Sequence, residues 1–349
     1  MPFLAQVAAV KRNGLAQWLW QSLTNFPAAP KLEPEKEAVW RAFATRYFLY
    51  YDPTVKPQAP QESGLPLRKH FPTRDLVDLR TGWKTDDTFL SFLCDHSPRG
   101  GHRQADRGHF SFFSLGESFA IDSGRGSVKL DSGSLRMGAV GAAHNLPLIH
   151  GEMQHEMPAK GSLRSGDLNA TVPVLEADIG ASYRSLRSFK RRAAWLPGAA
   201  GEPAWVVIGD LAEWDFEGPA LLSWLLHTDV GNRVETDGSR AVLTGARKGH
   251  RCLVQVAAAG PGAWRNDEFL GHPRLRYDWF FSPLQCLVLL APFEKGQPCP
   301  VIEHAASADG CALRVQRGGR SYSILSATPK RTLTWGGHTT SAEFAVVAE

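Results

Sequence analysis

The run Phe89-Leu-Ser-Phe-Leu-Cys94 decides the fold class, because it is the first of many short apolar stretches of the same kind. Phe110-Ser-Phe-Phe113, Trp205-Val-Val-Ile208 and Cys252-Leu-Val-Gln-Val256 resemble it, and glycine, aspartate, proline or serine bounds each of them. Short runs of this composition between turn residues are typical of β-strands. The pattern predicts a mainly β protein, with a large antiparallel β-sandwich over residues 75–349.

The chain before this region has a different pattern. Apolar and aromatic residues recur at helical spacing over residues 15–23 and again over residues 35–51. No helix can propagate through the four prolines that follow, Pro53, Pro57, Pro60 and Pro66. We predict a short helical segment over residues 1–52 and a proline-rich linker over residues 53–74.

The charge balance limits the classes of partner. The 349 residues include 39 basic and 35 acidic side chains, a formal charge of +4. This weak excess permits an anionic substrate and falls short of a nucleic-acid binder, so we expect no nucleic-acid partner. The five cysteines show no CxxC spacing, which predicts reduced, buried thiols, with pairing of Cys299 and Cys311 as the alternative. We expect no organic cofactor.

Two apolar stretches bear on localisation. Phe3–Val10 is too short for a signal core, and Lys11 and Arg12 follow it instead of preceding it. Leu284–Phe293 is about half a membrane span, which predicts a buried strand. We expect no membrane association, and a cytoplasmic location if Met1 is the true start or a periplasmic one if the start lies upstream.

Half of the histidines lie in one short part of the chain. Six of the twelve fall between residues 96 and 155, namely His96, His102, His109, His144, His150 and His155. Histidine offers a base near neutral pH and a metal-ligating nitrogen, so this cluster indicates a catalytic or metal site. Exposed polar positions on strands would give the same pattern, and both interpretations stay open. The motifs GxSxG of serine hydrolases and HExxH of zinc proteases do not occur.

Three ordered blocks contain most of these histidines. They are His102-x-x-x-Asp106-x-Gly108-x-Phe110, the stretch Gly116-Glu-x-x-Ala-Ile-Asp-x-Gly124, and His144-Asn-Leu-Pro-Leu-Ile-x-Gly151. This order resembles the heparinase II/III-like family of polysaccharide lyases, and further matching segments are Tyr50–Pro53, Arg80–Trp83, Glu176–Tyr183, Arg191–Arg192 and Ile208–Asp210. In that family an α/α toroid precedes a β-sandwich, and the substrate lies between them. The resemblance implies that residues 1–52 correspond to the end of such a toroid.

The resemblance implies a lyase that cleaves uronic-acid polysaccharides, such as a glycosaminoglycan or an alginate-like chain, by β-elimination. That reaction needs the uronate carboxylate neutralised, the C5 proton removed and the leaving oxygen protonated. The resemblance places His102 in the cleft as the acid/base or substrate-positioning group. Arg99, Arg103, Arg107 and His109 are candidates for binding the acidic sugar. We interpret a second basic group as a solvated strand face: Arg184, Arg187, Lys190, Arg191 and Arg192.

The resemblance also implies a metal ion, commonly zinc, inside the sandwich. The corresponding ligands are Gln104, Asp122 and His144. Gln104 departs from the histidine of the family's pattern, and a neutral amide is a poor zinc ligand beside imidazole. Three alternatives stay open: a metal-free site with Asp122 and His144 as a hydrogen-bonded pair, recruitment of His109 or His150, and a harder divalent ion.

Two further catalytic groups of the family, a tyrosine and an asparagine or histidine, belong to its toroid, and we expect no counterpart of them among the residues that precede the linker. Tyr47, Tyr50 and Tyr51 are expected to pack in a core instead. We therefore expect a polysaccharide lyase, or a fragment of one, with impaired turnover. A non-catalytic carbohydrate-binding or structural β-sandwich is the alternative, and a metal-dependent enzyme of unrelated mechanism is a third. The oligomeric state is not predicted.

Overall fold

The computed structural model describes residues 2–24, 51–94, 104–123, 127–130, 133–136, 140–154 and 161–349, with the backbone alone for 2, 23–24, 127–130 and 133–136. The chain divides into two compact units, Met1–Pro66 and Leu67–Glu349. None of the helices in these described ranges is both long enough and apolar enough to cross a membrane.

The Met1–Pro66 unit contains the helices α1 (Pro2–Lys11) and α2 (Gly14–Thr24) and a 3-10 helix over Pro60–Glu62. The helix predicted over residues 15–23 is thereby confirmed. Trp20 of α2 is fully buried, and its ring centroid lies 5.3 Å from that of Tyr51, which packs against this small core as expected. The rest of the predicted second helix, with Tyr47 and Tyr50, lies outside the described residues.

The Leu67–Glu349 unit begins with a five-stranded sheet whose strands follow chain order. They are β1 (Arg68–Phe71), β2 (Leu76–Arg80), β3 (Phe89–Leu93), β4 (His109–Ser114) and β5 (Glu117–Ala120), and a separate hairpin of β6 (Ser127–Leu130) and β7 (Gly133–Arg136) follows. Strand β1 lies within residues 53–74, the range predicted as a linker. It is an edge strand of sequence Arg-Lys-His-Phe. Charged residues are common both on edge strands and in loops, so the sequence does not distinguish the two.

An eight-stranded sheet forms the middle of the unit, in the order β14-β15-β16-β19-β12-β11-β10-β9. Its strands are β9 (Ser162–Ser165), β10 (Val174–Asp178), β11 (Leu186–Leu196), β12 (Trp205–Trp214), β14 (Arg233–Asp237), β15 (Arg240–Thr244), β16 (Arg251–Ala258) and β19 (Leu284–Phe293).

Two four-stranded sheets accompany it, in the orders β17-β18-β13-β8 and β20-β21-β22-β25, and β23 pairs with β24. The first contains β8 (Pro147–Ile149), β13 (Ala220–His227), β17 (Gly262–Phe269) and β18 (His272–Phe281). The others are β20 (Glu303–Ser307), β21 (Gly310–Arg317), β22 (Arg320–Ala327), β23 (Leu333–Trp335), β24 (His338–Thr340) and β25 (Ala345–Ala348).

Strand β19 shows that the eight-stranded sheet is covered on both faces. All of its residues are buried. Val288 and Leu290 belong to a core cluster shared with the five-stranded sheet and with β13 and β18, whereas Leu287 and Leu289 belong to a second cluster shared with β21 and β22. Successive side chains point to opposite faces, so a strand buried on both faces has a continuous apolar sequence. The buried strand predicted over Leu284–Phe293 is confirmed.

The unit is thus a layered β-sandwich with the eight-stranded sheet in the middle. Every strand pair among the described residues is antiparallel. The predicted fold class, a mainly β antiparallel sandwich preceded by a short helical segment, is confirmed.

Candidate functional site

The first two site residues come from one hairpin. Strands β4 and β5 are antiparallel neighbours, with Phe112 opposite Ala120. The start of β4 therefore lies beside the residues that follow β5. His109 is the first residue of β4, and Asp122 follows shortly after the end of β5. The pairing of the hairpin is what brings these two side chains together.

The third residue, His144, directly follows a 3-10 helix over Gly141–Ala143. The backbone N–H of Ser123 donates to the carbonyl oxygen of Ala143 across 3.3 Å. This bond joins the segment that carries Asp122 to the helix that precedes His144.

His109, Asp122 and His144 form a compact group. The Nδ1 of His144 lies 3.1 Å from Oδ2 of Asp122, and the Nε2 of His109 lies 3.9 Å from the same oxygen. The two imidazole rings meet edge to face with their centroids 5.4 Å apart. One nitrogen or oxygen atom from each residue lies within 4.8 Å of the other two, close enough for a metal site. His150, the other histidine that the sequence suggested, is exposed.

Burial sets the charge of two histidines in this region. Burial, followed by the nearby His144, lowers the pKa of His109 from 6.5 to about 3. Burial, followed by the nearby Arg274, lowers the pKa of His227 from 6.5 to about 3. Both imidazoles are therefore neutral at neutral pH, and neither is suited to deliver a proton to a substrate under those conditions.

A backbone hydrogen bond fixes which nitrogen of His109 carries the proton. The backbone N–H of Asn145 donates to Nδ1 of His109 across 3.1 Å. A neutral imidazole has one N–H, so the proton of His109 is on Nε2, the nitrogen that faces Asp122. This N–H points toward the Asp122 carboxylate at 3.9 Å and lies 3.4 Å from Oγ of Ser111.

This tautomer does not suit a metal ligand. A metal-bound histidine presents a lone pair from one nitrogen and donates an N–H from the other. His109 has the reverse arrangement, because its Nε2 carries the proton and its Nδ1 accepts the N–H of Asn145. If Nε2 of His109 bound zinc, its proton would move to Nδ1, and the buried backbone N–H of Asn145 would lose its acceptor. The group as it stands therefore does not fit zinc. Gln104 is half-buried, and its place as a ligand stays a prediction.

Asn145 connects the group to neighbouring strands. Its side-chain Nδ2 donates to the carbonyl oxygens of Phe110 at 2.8 Å and Ile121 at 3.1 Å, and its Oδ1 accepts the backbone N–H of His227 at 2.7 Å. These bonds use the amide in both directions, which accounts for asparagine at a fully buried position.

The basic residues of β11 differ from the solvated face that the sequence suggested. Arg191 is fully buried and binds Asp210 of β12 in a bidentate way, with Nε–Oδ1 and Nη2–Oδ2 both at 2.7 Å. Arg192 is also buried, and its Nε donates to Glu176 across 2.7 Å. The interpretation is wrong for these two arginines, because both faces of the middle sheet are covered.

The residues proposed to contact the substrate are described only in part. Arg107 is 3% exposed, and the side-chain amide of Gln154 binds both its backbone N–H, at 3.1 Å, and its carbonyl oxygen, at 2.6 Å. His109 is 5% exposed, so neither residue lies where a polysaccharide would reach it directly. The other predicted residues, Arg99, His102 and Arg103, lie outside the described residues.

His227 also lies near this group and was not predicted as a site residue. This residue ends β13, and its Nε2 lies 3.0 Å from the carbonyl oxygen of Ala142, within the helix that precedes His144. In the sequence it is a single histidine after an apolar run, and it reaches the site through the pairing of β13 with β8 and through the backbone N–H of Ile121, which donates to its carbonyl oxygen.

Comparison with known proteins gives a likeness of fold. No protein-family model matches the chain, and neither does any curated protein. Among solved structures, heparan sulfate lyase HepC from Pedobacter heparinus matches with a TM-score of 0.58 at 17% identity, over 91% of this chain and 48% of that one. A heparinase III structure matches with a TM-score of 0.58 at 14% identity, over 81% of this chain and 45% of that one. The chain thus spans about half the length of these structures and resembles their fold.

Proposed function

We propose that the Leu67–Glu349 unit is the β-sandwich part of a lyase that cleaves acidic, uronate-containing polysaccharides by β-elimination. One observation carries the proposal. His109, Asp122 and His144 come from the three sequence blocks that resemble the heparinase II/III-like family, and they meet in one group. The likeness of fold to heparan sulfate lyases supports the same function from an independent direction.

The roles follow from the needs of the reaction. An acid/base group must remove the C5 proton and protonate the leaving oxygen, and we assign this role to His102. Cations must neutralise the uronate carboxylate, and arginine binds a carboxylate in a bidentate way, which suits Arg99 and Arg103. Because Arg107 and His109 are buried, we assign them to support of the site rather than to contact with the sugar.

The group joins the three blocks, with both histidines buried and Asp122 partly exposed. His144 lies within hydrogen-bond distance of Asp122, at 3.1 Å, and His109 is neutral with its proton on Nε2, an arrangement that suits a metal-free group better than a zinc centre. The proposed reaction therefore has no step at a metal ion, and His102 supplies its acid–base chemistry.

The test is a panel of acidic polysaccharides, with a neutral polysaccharide as the control. We expect the chain to bind acidic oligosaccharides weakly and to produce the ultraviolet absorbance of an unsaturated uronate slowly. The substitution His102→Ala should lower that rate by about 10²–10⁴. His304→Ala, at an exposed position of β20, is the matched control and should not change it. Absence of both binding and turnover, or turnover of the neutral polysaccharide alone, would contradict the proposal.

A further inference from the structure

The buried ion pair of Arg191 and Asp210 makes hydrogen bonds to residues outside the sheet in which it lies. Arg191 and Asp210 are directly opposite each other on β11 and β12. The guanidinium nitrogens Nε and Nη2 donate to the two carboxylate oxygens of Asp210 across 2.7 Å each. Trp224 of β13 donates its Nε1–H to Oδ2 of the same carboxylate across 2.8 Å. The pair is therefore anchored in two sheets, and its charges compensate each other.

The remaining nitrogen of Arg191 joins the two histidine segments. Its Nη1 donates to the carbonyl oxygen of Gly108 across 2.9 Å and also to the carbonyl oxygen of Asn145. Gly108 directly precedes His109, and Asn145 directly follows His144. One nitrogen thus holds the backbone beside each histidine, although the two segments are far apart in the sequence.

The Gly108 segment is confined from a second side as well. Gly108 has a φ of +82°, and a Cβ atom built there would lie 2.9 Å from Cδ1 of Ile179. Arg191 Cδ would lie 3.4 Å from the same atom. The backbone that leads into His109 is therefore packed against Ile179 while it is hydrogen-bonded to Arg191.

We propose that Arg191, fixed by Asp210, is a positioning residue that sets the separation of His109 and His144 around Asp122. The geometry distinguishes it from a residue that only stabilises the sheet. Arg192, its neighbour on β11, is also buried, but it pairs with Glu176 at 2.7 Å and Glu343 at 2.8 Å. That contrast supplies a matched control within one strand.

The test compares Arg191→Lys with Arg192→Lys by NMR of the histidine imidazoles, with the signals of His109 and His144 assigned by single substitutions. Lysine keeps the positive charge beside each carboxylate, but a single ammonium cannot reproduce the guanidinium fork. We expect both variants to lower the melting temperature, and only Arg191→Lys to shift the His109 and His144 signals. Unchanged signals in a folded Arg191→Lys protein would overturn the proposal.

A second variant covers the case in which Arg191→Lys does not fold. Asp210→Asn keeps an acceptor for Trp224 and weakens the anchoring of Arg191, so it should shift the same two imidazole signals by a smaller amount. If Asp210→Asn folds and leaves them unchanged, or if neither variant folds, the pair stabilises the whole unit and the positioning role is refuted. These measurements do not use lyase activity, so their outcome is independent of whether the proposed function is correct.

Discussion

Acidification should destabilise the protein through two buried histidines. His109 and His227 have pKa values of about 3 in the folded state and 6.5 ordinarily. Between these values the unfolded chain binds more protons than the folded one, so the stability is fully present above about pH 6.5 and falls as the pH decreases toward 3. Each pH unit in this window removes about 1.4 kcal/mol for each histidine. At pH 5 the two together should cost about 4 kcal/mol, a large part of a typical stability of about 5–15 kcal/mol.

The assay is urea unfolding at pH 7.5 and pH 5, with single variants that keep the hydrogen bonds. In His109→Asn the amide oxygen replaces the Nδ1 acceptor, and in His227→Gln the amide N–H replaces the Nε2 donor. Each variant should remove about half of the loss of stability on acidification. His304→Gln, at an exposed position, is the control and should leave the loss unchanged. The reasoning is refuted if the wild-type protein is equally stable at both pH values, or if neither core variant reduces the difference.

Three further predictions concern single sites. Glu117→Gln should cost about 1–3 kcal/mol in urea unfolding, because the Glu117 carboxylate accepts three backbone N–H groups of residues 247–249 and an amide has only one oxygen. Gly108→Ala should lower the melting temperature more than Gly151→Ala, since both have positive φ but only Gly108 is crowded; equal losses would contradict this. Elemental analysis should find less than one zinc per chain, and stoichiometric zinc that Asp122→Ala removes would show that the group does bind the metal.

The strands could be predicted because burial of a strand on one face or on both faces leaves a recognisable pattern of apolar residues in its sequence. Leu284–Phe293 is apolar at nearly every position and is buried on both faces, and the shorter runs at Phe89–Leu93 and His109–Ser114 alternate in burial where one face is more open. Strand β1 was not predicted, because the residues of a charged edge strand do not differ in type from those of a loop.

The site could be predicted only as far as local motifs and the family resemblance reach. They brought Asp122 and His144 together and named His109 as a possible third member. The tautomer of His109 depends on one backbone N–H, that of Asn145, which no residue pattern encodes. The role of Arg191 depends on layer packing, because an arginine on a strand covered on both faces looks in the sequence like one on a solvated strand.

The mass of the new chain ends formed from an acidic polysaccharide tests the central claim most directly. β-Elimination leaves an unsaturated uronate at the new non-reducing end, lighter by one water molecule than the product of hydrolysis. After a long incubation at high protein concentration, we predict products with this lighter end, and a strong reduction of them by His102→Ala. Products with saturated ends, or lighter ends formed equally fast by His102→Ala, would contradict the account.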